Sequence, residues 1–407
     1  MKIALLHYSA PPVVGGVETV IARQAEQLVR AGHLVHIIAG RGQTWDARIP
    51  VDVLPHLDTR QPQVLKIRAS LETSRIPPYF ADLVHTIEGE LQRSLAGTDV
   101  VIAHNVASLH KNLALTAALY NISQADRAPR MILWHHDLAW TNPVFQNEMS
   151  PGWPWDLLQK PWPGVQQVTV SETRQAELAR LMNLDLSEIT VIPDGIDLST
   201  FFGLQPRTAN LVETLQIAQC APILLTPVRI ARRKNLELTL ETLAELRHDF
   251  PQAMLVVTGP PNMRNPANVE YLEMLQRRRR TLGLDGSAHF LAEYLPEGLT
   301  PAELADFYRL ADVVLLPSRE EGFGMPILEA GVSGLPIFCS DLPALRSLAG
   351  DAAEYFSPDE DPRRLAFRIG KALQNDPRYL LKARIRQEFT WEAVYRRMVA
   401  PLLERRA

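Results

Sequence analysis

Two glutamates in the segment SREEGFGMPILEAGVSGLP (318–336) have the types and spacing to bind a ligand rich in hydroxyl groups. Glu321 falls in a turn after the buried strand DVVLLP, and Glu329 lies eight positions later on the helix that follows. Each carboxylate can accept hydrogen bonds from two hydroxyl groups. Gly322 and Gly324 allow a close approach of the backbone, and the N–H groups at a helix start suit a phosphate. The alternative is a plain strand–turn–helix with surface glutamates.

Two cations stand in a second segment, TPVRIARRKN (226–235). Arg229 follows the end of a predicted strand, and Lys234 begins the next helical stretch. Two cations at the end of a sheet suit a diphosphate leaving group. Arg232 and Arg233 are expected to be solvated.

The first strand leads into a glycine pair, Gly15 and Gly16, followed by the start of a helix. The glycine spacing differs from the GxGxxG pattern of dinucleotide-binding proteins. Either a generic tight turn or a helix N-terminus that faces an anion fits this segment.

The segment WHHDLAW (134–140) places His135, His136 and Asp137 at the end of another predicted strand. A metal site is disfavoured, because no third or fourth ligand follows at a sequence spacing typical of metal sites. Contact with a sugar hydroxyl, or polar packing, is the favoured interpretation, and either histidine could make the contact.

Tryptophan and proline are concentrated between residues 134 and 164. Rigid aromatic rings suit stacking on a sugar, so Trp140, Trp153 and Trp155 are predicted to bind an acceptor. The alternative is a plug of tryptophans that packs against the first domain, and Trp134 is expected to be a core residue because it lies within a strand.

The composition excludes several classes of protein. The 407 residues carry a formal net charge of −4, which disfavours nucleic-acid binding. The two cysteines, Cys220 and Cys339, are too few and too far apart for a disulfide framework or a CxxC metal cluster. The absence of any apolar run of membrane-spanning length and of a signal-peptide pattern favours a cytoplasmic protein with at most peripheral membrane contact.

Short apolar runs alternate with amphipathic stretches along the whole chain, which predicts parallel sheets covered by helices. A segment rich in proline, glycine and aspartate (193–210) separates two such series. We therefore expect two doubly wound α/β domains, residues 1–200 and 201–385, with a ligand cleft between them. A C-terminal helix is expected over 386–407.

Taken together, these motifs resemble those of the retaining nucleotide-sugar glycosyltransferases of family four, the glycogen synthase-like or group 1 enzymes. The resemblance covers nearly the whole chain. It is carried by GGVE, VIPDGID, PVRIARRKN, DVVLLPSREEGFGMPILEAGVSGLP, GDAAEYFSP and FTWEAV. It implies the GT-B fold, with two Rossmann-like domains and a last helix that crosses back to the first one.

The resemblance also implies roles for individual residues. The residue matching Glu321 holds the donor sugar, helped by the backbone of Phe323 and Gly324, and the one matching Glu329 binds the ribose. The remaining implied contacts are made by Arg229 and Lys234 with the diphosphate, His136 with the donor sugar, and Gly16 on the phosphate side of the cleft. No metal or other cofactor is implied.

The expected activity is the transfer of a hexose, with glucose or mannose favoured, from a nucleotide diphosphate sugar to a hydroxyl acceptor. The acceptor would be a sugar, a small polyol or acid, or a lipid-linked glycan, and the anomeric configuration would be retained. Two other functions fit the same features: a nucleotide-sugar 2-epimerase of the same fold, and a carbohydrate-binding protein without catalytic activity.

Overall fold

A computed structural model describes residues 1–262 and 264–404 of the chain. The chain divides into two compact units. Unit 1 comprises residues 1–195 and the described residues from 394 onward, and unit 2 comprises residues 196–393.

Unit 1 is built on a seven-stranded sheet in which all neighbouring strands are parallel. In chain order the strands are β1 (Lys2–His7), β2 (Leu34–Ala39), β3 (Val51–Val53), β4 (Val100–His104), β5 (Arg130–His135), β6 (Gln166–Thr169) and β7 (Ile189–Val191). Their order across the sheet is β3-β2-β1-β4-β5-β6-β7. The chain therefore starts in the middle of the sheet and winds outward in both directions.

Helices cover both faces of this sheet. They are α1 (Gly16–Arg30), α2 (Pro62–Leu71), α3 (Phe80–Ser94), α4 (Leu113–Ser123) and α5 (Glu172–Met182). Because side chains alternate along a strand, Ile3 and Leu5 of β1 pack into one core with α1, while Ala4 and Leu6 pack into a second core with α3 and α4. The strands are apolar on both faces for this reason.

Unit 2 repeats the plan with a six-stranded parallel sheet. Its strands are β8 (Ile223–Thr226), β9 (Met254–Val257), β10 (Ala288–Phe290), β11 (Val313–Leu316), β12 (Ile337–Ser340) and β13 (Glu354–Phe356). Their order is β10-β9-β8-β11-β12-β13. The two sheets confirm the predicted fold class of two doubly wound α/β domains.

The helices of unit 2 begin with α6 (Leu198–Phe202), α7 (Pro206–Thr214), α8 (Leu236–Leu246), α9 (Pro266–Thr281) and α10 (Pro301–Leu310). They continue with α11 (Met325–Val332), α12 (Pro343–Ala349), α13 (Pro362–Gln374) and α14 (Pro377–Arg384). Many of them start at a side-chain cap: Thr300, for example, forms a capping box with Glu303 at the start of α10.

The C-terminal segment is helical but is not one regular α-helix. Two π-helical stretches, Ile385–Phe389 and Tyr395–Val399, flank α15 (Trp391–Val394), and α16 (Ala400–Glu404) follows. The final part belongs to unit 1, where Leu402 and Leu403 are buried. Arg130 at the start of β5 donates hydrogen bonds to the carbonyl oxygens of both leucines, at 2.6 and 2.9 Å. These bonds satisfy carbonyl groups that a helix end leaves unpaired.

Candidate functional site

Each sheet has one point where the strand order reverses, between β1 and β4 in unit 1 and between β8 and β11 in unit 2. Ligands of open parallel sheets bind beside the carboxyl ends of the strands at such a point. In unit 2, the predicted site residues follow β8 and β11. In unit 1, Gly16 follows β1, whereas His136 and the three predicted tryptophans follow β5, the neighbour of β4.

In unit 2, Lys234 and Glu321 form an ion pair between Nζ and Oε2. The two residues follow β8 and β11, which are neighbours in the sheet, so residues 87 positions apart in sequence meet. Their side chains are 7% and 16% exposed, respectively. Ser318 adds a hydrogen bond of 3.3 Å from its Oγ to the same carboxylate oxygen. The sequence predicted both charged residues but not their mutual contact.

Arg229 differs from Lys234 because its side chain is exposed and has no ion pair or hydrogen bond within the described parts of the chain. Its backbone is nevertheless fixed. Gly259 lies so close that a Cβ there would stand 2.4 Å from the carbonyl oxygen of Val228 and 2.7 Å from the Cα of Arg229. The loop therefore presents a free guanidinium on a rigid backbone.

Glu329 lies on α11 and accepts a hydrogen bond of 2.5 Å from the hydroxyl of Tyr308 on α10. Burial, with the neighbouring carboxylate adding to it, raises the pKa of Tyr308, so the tyrosine stays a neutral donor. Helix α11 begins after Gly324, which has a φ of +102° and whose Cβ would collide with Leu345 at 2.7 Å. Phe323 beside it is exposed. Tyr308 was not predicted, since nothing in its sequence context marks it as a partner of Glu329.

In unit 1 the structure separates the two candidate histidines. His135 is the last residue of β5, is 1% exposed, and its Nε2 lies 2.8 Å from Oε1 of Gln167 on the neighbouring strand β6. Burial lowers its pKa to about 4, so it is neutral near pH 7. His136 lies just beyond the strand end, and the two backbone N–H groups of His136 and Asp137 donate to Oδ1 of Asn105 at 2.8 and 3.2 Å. The geometry thus favours His136 over His135 as the histidine that lies beyond the carboxyl ends of the strands.

One further histidine contacts His136, and another contacts that neighbour. Nδ1 of His104 lies 3.0 Å from Nε2 of His136, and Nδ1 of His7 lies 2.8 Å from the backbone oxygen of His104. Asp194 is the nearest carboxylate to the other side of the His136 ring, with 3.8 Å between Oδ2 and Nδ1. The sequence analysis missed His104 and His7, although both stand at the ends of central strands.

The first turn of α1 holds an acidic side chain where the sequence suggested that an anion could bind. Glu18 accepts a hydrogen bond of 2.5 Å from Oγ of Ser9, and a Cβ on Gly15 would stand 2.1 Å from the Glu18 carboxylate. A side chain at position 15 would therefore require the flexible end of the Glu18 side chain to move. At Gly16, by contrast, a Cβ would meet no atom within 4 Å, so the backbone there is open.

The tryptophan-rich segment divides into buried and exposed rings. Trp155 is 3% exposed and packs in the core with α3 and α4, as does Trp162, which is 2% exposed. The prediction that Trp155 binds an acceptor is therefore wrong, because almost none of its ring is accessible. Trp140 is partly buried against the same core, and Trp153 is 46% exposed and forms an edge-to-face pair with Phe80 of α3. Of the three predicted acceptor contacts, only Trp153 presents an open ring.

Within the described residues, no group of three or more His, Cys, Asp and Glu side chains has an arrangement that could hold a metal ion. Among the helices that the structure describes, none combines the length and the apolar character needed to cross a membrane.

Two protein families match this chain in adjacent segments. Residues 14–200 match the family described as Glycosyltransferase Family 4, and residues 209–388 match the family described as Glycosyl transferases group 1. The two matches fall on unit 1 and unit 2, respectively, and leave little of the chain outside them.

Three named relatives are similar to this chain over different lengths. A mannosylglucosylglycerate synthase from Petrotoga mobilis is 26% identical over 85% of this chain and 84% of its own length. A D-inositol 3-phosphate glycosyltransferase from Kineococcus radiotolerans is 30% identical over 57% of each chain. An MMP alpha-(1->4)-mannosyltransferase from Mycolicibacterium hassiacum is 25% identical over 98% of this chain and 97% of its own.

Proposed function

This chain belongs to the group 1 glycosyltransferases, and we propose that it transfers a hexose from a nucleotide diphosphate sugar to a hydroxyl acceptor with retention of configuration. Unit 2 would bind the donor, and unit 1 would supply His136 and the acceptor contacts. Membership of this family indicates that the chain is an enzyme. The donor, the acceptor and the stereochemistry of the transfer are proposals.

The observation that carries this proposal is the arrangement of charge at the strand ends of unit 2. Lys234 is held by Glu321 at the carboxyl edge of the sheet, and Arg229 is exposed with no ionic partner among the described residues. A diphosphate leaving group carries negative charge that these two cations can neutralise. The carboxylates of Glu321 and Glu329 suit the hydroxyl groups of the sugar and of the ribose.

The relatives support a small polar acceptor and a glucosyl or mannosyl donor. Their names refer to mannosylglucosylglycerate, to D-inositol 3-phosphate and to mannosyl transfer. Exposed Trp153 in unit 1 suits stacking on the apolar face of a sugar ring, so a sugar-containing acceptor is favoured over a bare polyol.

The proposed reaction proceeds on one face of the donor sugar. The bond between the anomeric carbon and the diphosphate oxygen breaks, and an acceptor oxygen bonds to the same carbon from the same side. The acceptor proton passes to the departing diphosphate. Arg229, Lys234 and the backbone N–H groups of Gly324 and Met325, at the start of α11, would stabilise the charge that develops on that leaving group, so no metal ion is required.

The test is incubation of the full chain with UDP-, GDP- and ADP-linked glucose and mannose, with and without glycerate, inositol phosphate and glucosylglycerate. The expected result is acceptor-dependent nucleotide release, a product that keeps the donor's anomeric configuration, and full activity in excess EDTA. A 2-epimerised donor would instead identify an epimerase, and binding with no product would identify a carbohydrate-binding protein. Activity lost in EDTA and restored by manganese would contradict the metal-free mechanism.

A further inference from the structure

The ring of His136 is held by a second histidine, His104, in the core of unit 1. His104 is the last residue of β4 and is fully buried, with 0% of its surface exposed. Its Nδ1 lies 3.0 Å from Nε2 of His136, the ring centroids are 5.4 Å apart, and the ring planes differ by 26°. This nearly coplanar geometry suits one N–H···N hydrogen bond between the two rings.

The 3.0 Å separation of these two nitrogens fits one shared proton, and the buried environment decides which ring carries it. Burial lowers the pKa of His104 well below its usual value, so this ring is neutral and has one N–H. Its Nε2 is buried and meets no hydrogen-bond partner among the residues that the structure describes. A buried N–H without an acceptor costs more than a lone pair left unpaired, so the proton belongs on Nδ1.

We propose that His104 is a positioning residue that donates its Nδ1–H to Nε2 of His136 and thereby fixes His136 as the Nδ1–H tautomer. The Nδ1–H of His136 then has no hydrogen-bond partner among the described residues, on a side chain that is 8% exposed. Asp194, the carboxylate nearest to it, lies at 3.8 Å, which is beyond hydrogen-bond distance. The Nδ1–H is therefore free to bind an oxygen atom of the sugar nucleotide. This step rests on the proposed function, because it assumes that His136 contacts the donor.

Asn105 completes the arrangement from the backbone side. This residue has a φ of +59°, in the left-handed region that asparagine tolerates better than most residues. Its Oδ1 accepts from the backbone N–H groups of His136 and Asp137. Asn105 thus fixes the main chain of His136, while His104 fixes its ring.

The first test is NMR spectroscopy of the ligand-free chain with ¹⁵N- and ¹³C-labelled histidine, with signals assigned from the His104→Asn and His136→Gln variants. The expected result is a protonated Nδ1 and an unprotonated Nε2 on both rings at neutral pH. A protonated Nε2 on His136 would overturn the proposal, whatever the variants do.

The second test compares two substitutions of His104 in the transfer assay. Asparagine can place an amide N–H near the position of Nδ1, whereas phenylalanine keeps the ring but removes the donor. We expect His104→Phe to lower kcat/KM for the sugar nucleotide about tenfold, and His104→Asn to stay within about threefold of the wild type. Equal activity of the phenylalanine variant and the wild type, or equal loss in both variants, would refute the positioning role.

The two proposals can fail separately. If the wild-type chain turns over no sugar nucleotide, the proposed function fails, while the NMR measurement still decides the tautomer. If the phenylalanine variant does not fold, the same NMR measurement on the wild type remains decisive. Turnover combined with the opposite tautomer would leave the proposed function intact and remove the role of His104.

Discussion

Replacing Lys234 with methionine is expected to weaken both donor binding and the stability of unit 2, whereas replacing Arg229 should weaken donor binding alone. The reason is the difference in their surroundings. Lys234 is nearly buried and paired with Glu321, while Arg229 is exposed and has no ionic partner in the described chain. Methionine keeps most of the apolar stem of either side chain, so the change is chiefly the loss of charge.

The size of each effect follows from the contacts. A hydrogen bond to a charged group contributes about 1.5–3 kcal/mol, so either variant should lose roughly 10- to 100-fold in kcat/KM for the donor. Lys234→Met also leaves the carboxylate of Glu321, which is 16% exposed, with the weak bond from Ser318 at 3.3 Å as its one remaining hydrogen bond from the described residues. We expect this to cost about 2 kcal/mol, or a decrease of about 4–8 °C in the Tm of a unit of this size.

The assay pairs donor kinetics with thermal unfolding for four proteins: wild type, Arg229→Met, Lys234→Met and the double variant Lys234→Met/Glu321→Gln. The double variant removes the stranded charge of Glu321. Its Tm should therefore recover part of the loss, while its activity should not recover. Arg229→Met is the matched control, with a wild-type Tm and reduced activity.

Two results would refute this reasoning. If Lys234→Met had the Tm of the wild type, the ion pair with Glu321 would contribute nothing to stability. If both single variants retained wild-type kcat/KM, neither cation would bind the diphosphate, and the proposed donor site would be wrong.

Three further predictions concern other contacts. Trp153→Ala should raise the KM for the acceptor at unchanged Tm, whereas Trp155→Ala should destabilise unit 1 by about 3–5 kcal/mol, and the reverse pattern would contradict the assignment. Tyr308→Phe removes the donor to Glu329 and should weaken binding of free nucleotide several-fold in calorimetry, with unchanged affinity as the contrary result. His135 has a folded pKa of about 4 against the usual 6.5, so the unfolded state binds more protons between these values. The contribution of neutral His135 to the free energy of unfolding is complete above pH 6.5 and should fall by about 2 kcal/mol at pH 5. Urea unfolding at both pH values measures this decrease, and the His135→Gln variant should lose less stability over the same interval.

The alternation of apolar and amphipathic segments predicted the two parallel sheets, because buried parallel strands are continuous apolar runs. It did not predict β3 or β13. Each is only three residues long and lies at an edge of its sheet, where every one of these residues except Phe356 is at least partly exposed. The apolar run HFLAEYL (289–295) has the composition of a longer strand, but only His289 and Phe290 belong to β10, which pairs with β9, and a 3₁₀ turn follows.

The charged residues of unit 2 could be named from their spacing, but their partners could not. The pairing of Lys234 with Glu321 depends on β8 and β11 being neighbours, which is a property of the strand order and not of either segment. The tryptophans show the same limit. Trp153 and Trp155 have similar local sequences, yet Trp153 is 46% exposed although it contacts Phe80 of α3, while Trp155 is 3% exposed within the core formed with α3 and α4. The depth of each ring depends on the three-dimensional packing and not on the local sequence.

The side chains proposed to contact the donor are mostly held by a partner inside their own unit. Lys234 is held by Glu321, Glu329 by Tyr308, and His136 by its contact with His104. A side chain that is already fixed loses less conformational entropy when a ligand binds, so these contacts favour affinity without additional bonds. Arg229 has no such partner among the described residues and must be ordered by the ligand. The change in side-chain conformation when the donor binds should therefore be largest at Arg229. The other side chains proposed to contact the donor should keep the conformation that they have in the free protein.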